Sequence, residues 1–96
     1  MKIEEAIKSK RTEIRRIAER HGAMNVRLFG SVARGEANPE SDVDLLIDVT
    51  AHTSSWFPAG LILDLEDLPG RRVEIVTEKG LHEDLREKVL SQAIPL

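Results

Sequence analysis

Residues 42–49 alternate without a break: Val43, Leu45, Ile47 and Val49 fall on one side, Asp42, Asp44, Leu46 and Asp48 on the other. A period of two belongs to a β-strand, whose successive side chains point to opposite faces. The apolar side has to be covered by other parts of the chain. The acidic side has to stay open to water or meet a cation, because unpaired carboxylates resist burial. A fold built on this segment is therefore a sheet with one packed face and one acidic face.

The flanking segments supply the cover. Ile3, Ala6, Ile7, Ile14, Ile17 and Ala18 recur at helical spacing ahead of Gly22, predicting an N-terminal amphipathic helix within residues 1–22. Residues 25–29 predict a short strand, which Gly30-Ser31 turns into one helical turn at Val32-Ala33-Arg34 before Gly35 stops it. Polar loops follow at 36–41 and 50–55. Phe57, Leu61, Leu65 and Leu68 mark a helix with Pro58 in its first turn and Gly70 just past its end. Residues 71–77 alternate again, Val73 and Ile75 against Arg72, Glu74 and Val76, and Leu81, Leu85 and Val89 space a last helix within 79–94. This order predicts an α/β (α+β) layer: a mixed sheet of three to four strands with helices on one face.

With 96 residues, one modest core is expected, so residues 1–96 read as a single domain whose central strands and helices fall within 25–77. No apolar run approaches the ~18 residues of a spanning helix, and the acidic start at Glu4-Glu5 is unlike an export signal. With no cysteine there is neither a disulfide framework nor a thiolate metal site, and a cytoplasmic location is expected. The net charge of −3 is unevenly spread: residues 1–20 hold seven basic and four acidic groups, so the remainder is strongly acidic. An acidic surface repels phosphate backbones, which argues against direct nucleic-acid binding and for a divalent cation as the compensating charge.

Asp42 and Asp44, at i and i+2 on a strand, put two carboxylates on one face about 6.6 Å apart. Mg²⁺ takes such oxygen ligands, commonly one or two carboxylates with water and substrate phosphates completing its shell. A solvated strand face is the better explanation of an Asp-x-Asp that stands alone. Gly30-Ser31 adds a turn where the backbone can approach a ligand, with Ser31 expected to cap the helical turn that follows. Glu74, in the middle of a short apolar strand, is either a third carboxylate completing a metal shell or an edge-strand acid paired with Arg72 or a neighbouring arginine. His21, His52 and His82 show no metal spacing and read as ordinary surface residues.

Gly30-Ser31, ten residues, then Asp42-Val43-Asp44, resembles the signature of the DNA polymerase β-like nucleotidyltransferase superfamily. The wording Leu28-Phe29-Gly30-Ser31-Val32-Ala33-Arg34-Gly35-Glu36, Ser41-Asp42-Val43-Asp44-Leu45 and Arg72-Val73-Glu74-Ile75 is similar to its minimal nucleotidyltransferase (MNT) members over residues 25–96. The resemblance implies a polymerase-β-like palm, two Mg²⁺ ions, and transfer of a nucleoside monophosphate from an NTP, with ATP as the expected donor. It places Gly30 and Ser31 at the triphosphate. Asp42 and Asp44 fall on both metals, and Glu74, where the family usually has Asp, on the catalytic metal. Arg34 falls where members carry a basic residue, either a phosphate or acceptor contact or a solvated side chain. It further implies an antitoxin that adenylylates a tyrosine of a small helical HEPN ribonuclease toxin. Two other outcomes stay open: an antitoxin that neutralises its partner by binding alone, and transfer to a small molecule or an RNA end.

Overall fold

The computed structural model describes residues 3–38, 40–50, 57–68 and 70–96. Two short helices, α1 (Ile3–Ser9) and α2 (Arg11–Arg20), lead into β1 (Ala23–Phe29) and the single-turn α3 (Gly30–Ala33). β2 (Val43–Val49), α4 (Ala59–Glu66) and β3 (Val73–Thr77) follow, then α5 (Glu83–Gln92) and β4 (Ile94–Pro95). Among the described residues the strands form one four-stranded sheet in the order β3-β2-β1-β4. β1 is antiparallel to both β2 and β4, whereas β2 and β3 are parallel and need the crossover that α4 provides.

The alternation of β2 is realised from Val43 to Ile47, whereas Val49, expected on the packed side, is exposed at the end of the strand. Val43, Leu45 and Ile47 are buried with Leu28 and Val73 under Ile7 of α1, Ile14 and Ala18 of α2, and Leu61 and Leu65 of α4. Burying each such Leu or Ile contributes about 1.5–3 kcal/mol, so this layer is what fixes the register of β2 and hence the outward aim of its acids. The opposite face is less bare than the pattern suggests. Leu46 is fully buried there, between Arg27 of β1 and Val76 of β3 on the same rung. Arg27 is itself buried, and its guanidinium donates to Asp48 at 2.9 Å, to Glu78 at 3.3 Å and to the Asn25 carbonyl at 2.9 Å.

Three differences from the sequence reading have physical causes. The N-terminal helix is broken at Lys10, whose φ of −104° and ψ of 13° end one helix and open the next. The apolar stripe lapses there, since Lys10 and Arg11 fall between Ile7 and Ile14, and the Lys10 ammonium instead donates to the Leu68 carbonyl at 2.7 Å. The fourth strand, β4, is only two residues long, too short to show any period. Finally, α5 buries none of its residues; its ties run through Arg86 to Glu78 at 2.8 Å and through Gln92 to Arg34 at 3.2 Å.

Candidate active site

Three segments meet at the start of β2. On the ladder, Asp44 is flanked by Phe29 of β1 on one side and by Glu74 of β3 on the other. Directly after Phe29 the chain turns at Gly30 with φ of +75°, and a Cβ built there would overlap Oδ2 of Asp44 and lie 3.1 Å from its Cγ. The corner needs glycine twice over, for the left-handed backbone and for the close approach. The parallel register of β2 and β3 then brings Glu74 level with Asp44, uniting residues 30 positions apart.

The Asp44 carboxyl is pushed up to about 6, first by burial, then by its contact with and the charge of Glu74, then by the charge of Asp42; Arg34 opposes the rise. The neighbouring negative charges disfavour the ionised form of Asp44, and a proton on Asp44 is the remedy available to the protein alone. A cation would serve the same purpose. The donors are all carboxylate oxygens, which suits a hard divalent ion such as Mg²⁺. Among the described residues, however, no three His, Cys, Asp or Glu side chains gather closely enough to hold a metal by themselves. Asp42, Asp44 and Glu74 form a neighbourhood rather than a closed cage, as suits an ion whose other ligands come from water and phosphate.

Each expected residue has a definite place. Asp42 is half-buried just ahead of β2 and lines a cleft of about 360 Å³ with Ile62, Glu66, Arg72, Glu74 and the β3 backbone. Glu74 is exposed, faces Asp44, and among the described residues makes no ion pair with Arg72. Ser31 does not cap α3: the cap position is Phe29, without a side-chain bond, because Gly30 already lies within the helical turn. Ser31 is instead the second residue of that turn, its carbonyl accepting from Glu36 N–H at 2.9 Å. Arg34 is exposed and donates to Glu36 at 2.9 Å and Gln92 at 3.2 Å, while its charge still reaches Asp44.

The sequence reading passed over Arg71, whose guanidinium donates to the carbonyls of Asn38 at 3.2 Å and Ser41 at 3.1 Å. It thereby pins the loop that delivers Asp42, a backbone contact that leaves no trace in residue spacing. His21 is more than a surface residue, bonding Asp64 at 2.7 Å and tying α2 to α4, and His82 caps α5 by accepting from Asp84 N–H at 3.4 Å. His52 and most of the loop at 50–55 lie outside the described residues.

The sequence profile of the nucleotidyltransferase domain matches residues 3–96. The chain belongs to the nucleotidyltransferase domain family. This nucleotidyltransferase is 48% identical to a solved structure described as a minimal nucleotidyltransferase, with a TM-score of 0.86 over 100% of this chain and 97% of the other. It is 35% identical over 92 residues to the protein adenylyltransferase MntA of Thermococcus cleftensis, covering 96% of this chain and 90% of the relative. A toxin–antitoxin structure solved with AMP-PNP superposes with a TM-score of 0.73 over 88% of this chain and 69% of that one; at 19% identity it shows a shared fold. Among the described residues no helix of the nucleotidyltransferase is long and apolar enough to cross a membrane.

Proposed function

We propose that this nucleotidyltransferase transfers AMP from ATP to a side-chain hydroxyl of a partner protein, and acts as antitoxin to that partner. The observation that carries the reading is the Asp44 carboxylate, set against the Gly30 backbone on one side and Glu74 on the other, at the family's glycine corner. The choice of a protein acceptor draws on the extent of the likeness to the MntA adenylyltransferase, which spans 96% of the chain. By the family resemblance the partner is a small helical HEPN toxin and the acceptor one of its tyrosines, in the cytoplasm where ATP is at hand.

In this reading Asp42, Asp44 and Glu74 hold Mg²⁺, with Gly30 and Ser31 at the triphosphate. The bound metal supplies neutralisation of phosphate charge and a more acidic acceptor hydroxyl. The acceptor oxygen forms a bond to the α-phosphorus, the bond from that phosphorus to the bridging oxygen of the β-phosphate breaks, and pyrophosphate leaves. Glu74 takes up the hydroxyl proton as general base, a role supported by its exposure and its position on the rung beside Asp44. Arg34 balances charge near Asp44 from a position held by Glu36 and Gln92. Polypeptide contacts therefore position the reactants, and positioning plus electrostatics is most of what phosphoryl-group chemistry asks of a protein.

A binding-only antitoxin is the competing reading, favoured by Glu74, one methylene longer than the Asp usual at that place in the family. Incubation with labelled ATP, Mg²⁺ and the co-encoded partner separates the two. Label should move to the partner, and both label and protection should disappear in Asp42→Ala and in Asp44→Ala. Full protection by both variants with no label transferred would mean that occlusion, not catalysis, is the mechanism.

A further inference from the structure

Among the described residues β3 is an edge strand, with β2 on one side only. Its inner side is fastened where Val43 N–H donates to the Arg72 carbonyl at 2.9 Å. In a parallel ladder the next amide, that of Val73, points away from β2. It donates instead to Oε2 of Glu66 at 3.0 Å, and the main-chain carbonyl of the same Glu66 accepts from Gly70 N–H at 3.1 Å. One residue thus holds the connection into β3 at two points. The placement runs against electrostatics: Glu66 is the last residue of α4, with no basic residue in that turn, where the helix dipole disfavours a negative charge. It also shares its cleft with Asp42 and Glu74, two further acids. The bond to the Val73 amide is what offsets that position.

We propose that Glu66 is a positioning residue for nucleotidyl transfer: by holding the Val73 amide it fixes the height of β3 along β2, and so sets where the carboxylate of Glu74 stands beside Asp44. The inference rests on the reading of Glu74 as a working acid. An edge strand anchored from one side opens easily, and Glu74 is exposed on a long side chain, so its backbone is the part that must be held. A misplacement of about 1 Å at a reacting group can cost on the order of 100-fold in rate, which gives a backbone anchor leverage over the chemistry.

Glu66→Gln keeps an acceptor oxygen for the amide, whereas Glu66→Leu removes it and keeps the bulk of the stem. With the full chain, labelled ATP, Mg²⁺ and the co-encoded partner, Glu66→Leu should lower kcat about tenfold with KM for ATP within about twofold, and Glu66→Gln should retain most of kcat. Amide exchange at Val73 should accelerate in the Leu variant and not in the Gln variant. The deciding arm is Glu74→Ala, in whose background Glu66→Leu should slow transfer no further. Where Leu unfolds the chain, Glu66→Asp, one methylene too short to reach the amide, should show the same slow phenotype. The positioning role is overturned if the losses at 66 and 74 multiply, if Gln is as slow as Leu, or if Val73 exchanges at the wild-type rate without Glu66. A Glu74→Ala protein with wild-type kcat would instead remove the reading of Glu74 on which the proposal stands, whereas a slow Glu74→Ala beside a fully active Glu66→Leu removes the positioning role alone.

Discussion

At Gly30 a backbone constraint and a contact constraint coincide, and the two can be separated by comparison with Gly35. Both have positive φ, +75° and +73°, but a Cβ at Gly30 would run into Asp44 whereas one at Gly35 meets nothing within 4 Å. Alanine in the left-handed region costs about 1–2 kcal/mol at either site. We expect Gly35→Ala to show only that loss in thermal unfolding and to keep AMP transfer, and Gly30→Ala to lose about 100-fold or more in transfer because Asp44 must move. Asp44 itself gives a second prediction. Its folded pKa of about 6 lies above the ordinary 3.8, so the metal-free native state holds a proton that the unfolded chain releases, and stability falls as pH rises from about 4 to 6. Asp44→Asn lacks that proton linkage. Without divalent metal, its Tm advantage over the wild type should therefore open across that window and stay open above it, while transfer is abolished. Asp42 and Asp44 were legible in the sequence because their spacing itself places them on one face. Glu66 and Arg71 were not, because they grip backbone atoms, and no pattern of residue types reports which carbonyl or amide lies within reach.

The same logic separates the elements that were legible from those that were not. β2 and β3 announced themselves because burial on one face demands a period of two, and α4 because its apolar residues recur through a full helical face. The break at Lys10 was hidden, since a helical period carried across a lapsed stripe looks continuous until the side chain at the gap finds its own partner, here the Leu68 carbonyl. Along β2 the acidic face also divides into two different environments. Asp44 is raised by burial and a neighbouring acid, whereas Asp48 is lowered, first by the bond from the Asn25 amide at 2.9 Å and further by Glu78 and Arg27, against an opposing burial effect. A depressed folded pKa contributes stability above the ordinary 3.8 and loses it as pH falls through the folded value, the reverse of Asp44. Arg27 is the hinge of that second environment. Arg27→Met, which keeps the apolar stem over Leu46 but loses the bonds to Asp48, Glu78 and Asn25, should cost about 1–3 kcal/mol in urea unfolding at pH 7. The deficit should shrink as pH falls below the ordinary 3.8 of an aspartate and Asp48 takes up its proton.

For the molecule as a whole, the net charge outside the first helices is acidic, so under the proposed function nucleotide and protein repel until a cation intervenes. Residues 21–96 carry thirteen acidic against seven basic groups, and two of the acids, Asp42 and Glu74, act on Asp44. Nucleotide affinity should therefore be almost wholly conditional on divalent metal. A non-hydrolysable ATP analogue with Mg²⁺, at about 100 times its Kd, should stabilise the fold by ~2.7 kcal/mol. For a chain of this size that corresponds to a rise in Tm of roughly 10 °C or more. The same analogue with a chelator should leave Tm nearly unchanged, because the native state then gains no favourable contact to offset its own charge. Asp42→Asn and Asp44→Asn should each remove most of the metal-dependent rise, whereas substitution of Asp64, which faces His21 on the helical side of the sheet, should leave it intact. A large shift with nucleotide alone, or one that survives both Asn variants, would place nucleotide binding somewhere other than the corner formed by Gly30, Asp44 and Glu74.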